Sequence, residues 1–117
     1  MIKPFKYPLE IYKGADFIFD FRLKDESGYI DLTGCTIYFR ASNKADGTNE
    51  FSFSSTDSPQ TITIDTADNN LIRVLIDKDD TAALTVPELY YEIDLLDAEG
   101  LTHRYLIGSI SVYGDAA

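Results

Sequence analysis

Tryptophan is absent from this sequence, and cysteine and histidine each occur once. A single cysteine, Cys35, excludes an intramolecular disulfide. Cys35 and His103 together fall short of the four Cys/His ligands a structural zinc site wants. Basic residues are scarce: 10 Lys and Arg stand against 20 Asp and Glu, for a formal net charge of -10. Such a surface repels phosphate backbones and anionic lipid headgroups, whose attraction depends on Lys and Arg. Neither nucleic acid nor a membrane surface is therefore expected as a partner. Nothing approaches the roughly 20 consecutive apolar residues that span a bilayer. The opening stretch MIKPFKYPLEIYKGAD lacks the apolar segment of a signal peptide, so folding in a cytoplasm is expected. Neither Gly-x-Gly-x-x-Gly nor Gly-x-x-x-x-Gly-Lys occurs, which removes the glycine-rich nucleotide cradles.

What the sequence does have is aromatics, with 8 Tyr and 7 Phe, set in alternating runs rich in Ile, Thr and Val that favour strands. Phe17, Phe19, Phe21 and Leu23 share one face of a strand, with Asp16, Asp20, Arg22 and Lys24 on the other. Residues 24–28 read as a turn in which Gly28 supplies positive φ. Residues 29–32 read as a short extended piece, and Thr33-Gly34 as a break. Cys35, Ile37, Phe39 and Ala41 form the next inward row. A polar loop over 43–49 precedes Phe51 and Phe53, and Thr56 to Pro59 punctuates. Runs at 61–64 and 71–76, joined at Asp68-Asn69-Asn70, predict a hairpin. Alternation stops at Asp77, where an acidic start followed by Ala predicts a short helical turn near 78–84, closed off by Pro87. Leu89, Tyr91, Ile93 and Leu95, and then Leu106, Gly108, Ile110 and Val112, line the last two strands, with a turn at Asp97–Gly100.

Seven or eight short strands and one brief helical turn predict an all-β fold, an antiparallel β-sandwich, with a β-barrel as the alternative. The expected organisation is an arm over 1–8, one sandwich domain over 9–113 and a tail over 114–117. In immunoglobulin-like domains a tyrosine near the start of a late strand returns its hydroxyl to the backbone of the preceding corner. Tyr91 sits where such a residue belongs, and Tyr90 takes its place if the register slips by one.

Candidate chemistry is thin. His103 has no Gly-x-Ser-x-Gly elbow to serve, and Cys35 lies on an inward row, where thiols are inert filler. Asp77, Asp79, Thr81 and Glu88 match the oxygen-ligand spacing of an EF-hand loop. However, Ala82 occupies the position that needs Gly, and Pro87 precedes Glu88, so the match is read as coincidence. No catalytic, cofactor-binding or metal-ligating residue is assigned. Tyr29, Tyr38, Tyr90, Tyr105 and Tyr113 could form a stacking platform for sugars, which makes a carbohydrate-binding adhesion module the alternative function. The arm, with Phe5 and Tyr7 between two prolines, is the candidate for docking onto a neighbour, and homo-oligomers are among the expected assemblies.

The order of YKGADFIFDFRLKDESGYIDLTGCTIYFRA, ITIDTADNNLIRVLIDKDDTAAL and YYEIDLLDAEGLTHRYLIGSISV resembles the immunoglobulin-like β-sandwich domains of tailed-phage and prophage virion proteins. Among these are the N-terminal domains of baseplate upper proteins. The resemblance runs from about Leu9 to Val112. It implies no enzymatic activity and no cofactor, and instead a structural or adaptor role in a tail, baseplate, fibre or capsid decoration. Partners would be other virion proteins, joined in particles assembled in the bacterial host cytoplasm. The receptor-binding or fibre segment of longer members has no counterpart in these 117 residues, so the resemblance implies assembly rather than attachment to host sugars.

Overall fold

A computed structural model describes residues 5–25, 28–57, 61–68 and 70–114. The arm before Phe5, the tail after Gly114, the turn residues Glu26, Ser27 and Asn69, and the punctuation at Ser58-Pro59 lie outside the described residues. The strands are β1 (Phe5–Lys6), β2 (Leu9–Tyr12), β3 (Phe17–Phe21), β4 (Lys24–Asp25), β5 (Gly28–Tyr29), β6 (Thr36–Asn43), β7 (Asn49–Ser54), β8 (Ile62–Asp65), β9 (Leu71–Ile76), β10 (Glu88–Leu96) and β11 (Thr102–Tyr113). One helix, α1 (Lys78–Ala82), and a 3-10 turn, Thr66–Asp68, complete the elements.

Two sheets face one another. The front sheet runs β1-β11-β10-β6-β7, with β2 also on β11; the back sheet runs β3-β9-β8; β4 and β5 form a separate small hairpin. The alternation seen in sequence is what closes the sandwich. Ile37, Phe39, Leu89, Tyr91, Ile93 and Ile110 from the front meet Ile62, Ile72 and Val74 from the back, all without solvent exposure. Each such side chain contributes about 1.5–3 kcal/mol on burial. The all-β sandwich is thus the fold, and Ile72, Val74 and Ile76 of β9 face its core.

The differences from expectation lie at the margins. Three of the eleven segments are only two residues long, which is why the count exceeds seven or eight. The extended piece at 29–32 is a strand only as far as Tyr29, although Leu32 is buried. Cys35 precedes β6 rather than opening it, and is partly buried. Not all pairing is antiparallel: β1 and β2 run parallel to β11, with Phe5 opposite Leu106 and Leu9 opposite Ile110. From Phe5 onward the expected arm is therefore an edge strand.

The acidic segment at 77–80 serves the helix start. Asp77 caps α1 through its side chain, which accepts from Asp79 N, and Asp16 Oδ1 accepts from Lys78 N at 2.8 Å. Thr81 is buried, its hydroxyl donating to Ala15 O at 2.9 Å and accepting from Gly14 N. It thereby ties α1 to the β2–β3 turn.

Other aspartates hold turns. Asp31 accepts from Thr33 N and Oγ1, Asp46 from Thr48 N, and Asp97 from Glu99 N, Leu101 N and His103 Nε2. Amide donation from Thr33 and from Thr48 holds Asp31 and Asp46 below the usual carboxylate value, and His103, then Leu101 N, does so for Asp97. A carboxyl more acidic in the folded state stabilises the fold above its unfolded value, near pH 4, and loses that effect as pH falls through the folded value. Thermal midpoints should accordingly fall once pH drops below about 4. Replacing Asp31, Asp46 and Asp97 together with Asn should flatten that limb. A midpoint that keeps rising on acidification would contradict the assignment.

Candidate functional site

The most distinctive construction lies where the first and last strands meet. Tyr91 of β10 pairs with Gly108 of β11, and its fully buried ring stacks on Phe39 with centroids 5.8 Å apart. Its hydroxyl does not return to its own corner, as the immunoglobulin pattern had suggested. It donates to the carbonyl oxygen of Tyr7 at 2.6 Å. Tyr7 N donates in turn to Ile107 O at 3.0 Å. Burial first, then the neighbouring Tyr7, pushes the Tyr91 hydroxyl up to about 12, so it remains a donor across physiological pH. Gly108 makes the approach feasible, because a Cβ there would fall on the Tyr7 carbonyl oxygen and crowd the Tyr91 ring. A glycine inside a strand often marks such a close approach. Tyr90, one residue earlier, points outward.

Seated in this way, β1 lies across the open side of the sandwich from β3. A row of rings bridges the two sheets. Phe5 stacks on Tyr7 at 6.5 Å, Tyr7 on Phe19 at 5.7 Å and Phe19 on Phe21 at 5.1 Å. The row walls a groove of about 490 Å³, closed below by Leu23, Tyr105 and Leu106 and rimmed by Arg22 and Lys24. Phe5 remains 64% exposed and Tyr7 45%. The sequence singled out Phe5 and Tyr7 but assigned Phe19 and Phe21 wholly to the core. Among the described residues no strand pairs with the outer edge of β3.

The outer face of the front sheet carries a second feature that sequence reading passed over. Asp94 belongs to the outward row, yet it is 2% exposed. Arg104 Nε donates to it at 2.9 Å and Arg40 Nη1 at 3.2 Å, while Arg104 also reaches Glu92 at 3.2 Å. Arg40 lies over the Tyr38 ring, 4.8 Å from its centroid. The guanidinium groups roof the carboxylate and complete its hydrogen bonds.

The remaining candidates do not converge. His103, near the start of β11, is held at 2.9 Å by Asp97 of the β10–β11 turn. Burial pushes the Cys35 thiol up, away from the nucleophilic thiolate. Of the EF-hand-like set, Asp77 caps α1, Thr81 turns inward and Glu88 pairs with Lys44 at 3.1 Å. Among the described residues no group of three or more Asp, Glu, His or Cys is placed to hold a metal. The outward tyrosines are scattered. Tyr29 sits beneath Lys24 on the small hairpin and Tyr113 stacks on Tyr12. Tyr38 and Tyr90 lie opposite Asp94 and Ser42 respectively, about 13 Å apart along the strands.

No family model and no curated protein sequence matches this chain. A chain from the structure of T cell activation by the bacterial superantigen toxic shock syndrome toxin-1 superposes with a TM-score of 0.54 at 11% identity. The match covers 91% of this chain and 92% of that one. The extracellular domain of the voltage-gated sodium channel beta4 subunit gives 0.46 at 10% identity, over 94% and 87% of the two chains. The likeness is one of fold. The chain is an immunoglobulin-like β-sandwich.

Proposed function

We propose that this sandwich is a non-enzymatic protein-interaction module, working as a structural or adaptor component of a tailed-phage or prophage virion. The observation that carries the interaction reading is the open aromatic row from Phe5 to Phe21 beside an unpaired strand edge. Edge backbone groups and clustered aromatics are what protein partners take up. The virion setting is supported by the ordered segment resemblance between about Leu9 and Val112. The scattered tyrosines offer no shared platform to favour the sugar-binding alternative. Immunogold labelling of purified particles with an antibody to this chain tests the setting: label confined to tails or baseplates is expected. Purified, infectious particles free of the chain would overturn it.

A further inference from the structure

We infer that the free edge of β3 is a self-association seam, where β3 of a second copy adds antiparallel about a two-fold axis at Phe19. The partner deepens the interaction reading above without depending on the virion setting.

Hydrogen-bond direction along the back sheet fixes which groups the edge offers. Leu75 N donates to Thr61 O at 2.9 Å, so Leu75 and Arg73 turn their backbone groups toward β8. Successive residues of a strand alternate in this respect. Ile72, Val74 and Ile76 therefore face β3, opposite Phe21, Phe19 and Phe17. The outer edge is left with the N–H and C=O of Ile18 and Asp20. These two can satisfy one another across a two-fold at Phe19, each pair exchanging both of its N–H···O bonds.

Charge selects that register. A two-fold at Phe19 sets Asp16 opposite Arg22 of the second copy, and Ile18 opposite Asp20. A two-fold at Ile18 would set Asp16 against Asp20, and one at Asp20 would set two Asp20 carboxylates face to face. Like charges directly opposite destabilise a strand pair. Asp20 itself is already neutralised within its own chain, where Arg73 donates to both carboxylate oxygens at 2.7 and 2.8 Å. Of these three registers only the one at Phe19 places no carboxylate opposite another, and Phe19, as the middle residue of β3, is the centre that pairs all five strand residues.

The inner face agrees. At a position that is not hydrogen-bonded the opposing side chains approach most closely, and here they are Phe19 and Phe19. Phe17 then meets Phe21 from the other copy. The stacked rings of Phe5, Tyr7, Phe19 and Phe21 from both chains form one cluster beneath the seam, covering the exposed Phe5 and Tyr7. The net charge of -10 on each chain opposes association everywhere else, which confines contact to an edge whose own charges are paired.

Sedimentation of the full chain over a concentration series should show a monomer–dimer equilibrium. Arg22→Glu sets like charges across the seam and should weaken the dimer by about tenfold or more. Adding Asp16→Arg to it should restore most of the affinity. In a Cys35→Ser background, Phe19→Cys should give a covalent dimer on mild oxidation, since opposed Cα atoms there fall within about 4.4–6.8 Å, the disulfide range. Leu75→Cys, on the middle strand, should not. Circular dichroism checks that each variant is folded. A chain that stays monomeric at about 0.5 mM, far above the range of specific complexes, would overturn the seam. So would a dimer indifferent to Arg22→Glu. Neither outcome bears on whether particles contain the chain.

Discussion

Replacing Gly108 with alanine is expected to cost about 3 kcal/mol, the combined scale of an overpacked core and a lost buried hydrogen bond. The added methyl would fall on the Tyr7 carbonyl oxygen and press on the Tyr91 ring. Neither can give way freely. Tyr91 is fully buried, and Tyr7 is held through both its N–H, to Ile107, and its C=O, from Tyr91. The cheapest escape is for β1 to leave β11, so the Tyr7 amide, which donates to Ile107 O, should lose hydrogen-exchange protection well before the amides of β10. Tyr91→Phe removes the hydroxyl without adding bulk. It should cost only about 1–2 kcal/mol, with the same local loss of protection. Urea unfolding and hydrogen exchange on both variants separate steric from hydrogen-bonding effects. If Gly108→Ala stays within about 0.5 kcal/mol of the parent, the usual range of an unremarkable surface change, β1 is not locked in the way described.

How much of this was legible in the sequence depends on the range of the interaction involved. Phe39, Leu89, Tyr91, Ile93 and Val74 announce their burial by local alternation, and all five are without solvent exposure. The start of α1 was equally readable, because Asp77 acts on an amide two residues away. The pairing of β1 and β2 with β11 was not, since it joins the two ends of the chain and no turn of intermediate length signals it. Phe19 and Phe21 obey the alternation yet remain half-buried. Their row borders the open side of the sandwich, and alternation names a face without saying how far the opposite sheet extends over it. Gly108 did carry a signal, a gap in an inward row of Leu106, Ile110 and Val112. Only the Tyr7 carbonyl reveals what fills that gap.

Removing both arginines around Asp94 should be far more damaging than removing the carboxylate they surround. Alternation places Asp94 in solvent, and it is Arg40 and Arg104, from the two flanking strands, that exclude water from it. With both replaced by Met the carboxylate would keep its burial and lose its compensating charge, a situation that typically costs about 3–5 kcal/mol. Either single replacement leaves one guanidinium in place and should cost about 1.5–3 kcal/mol, the scale of a hydrogen bond to a charged group. Asp94→Leu is the contrasting case. The arginine side chains are 42% and 47% exposed, so their heads can return to water, and burying an apolar group in place of an ion pair is often neutral or better. Its expected effect is within about 1 kcal/mol of the parent. The ordering is therefore double arginine variant, single variants, then Asp94→Leu, read from urea midpoints at neutral pH. An Asp94→Leu protein less stable than the double arginine variant would reverse the argument, because the carboxylate would then be stabilising the arginines rather than depending on them.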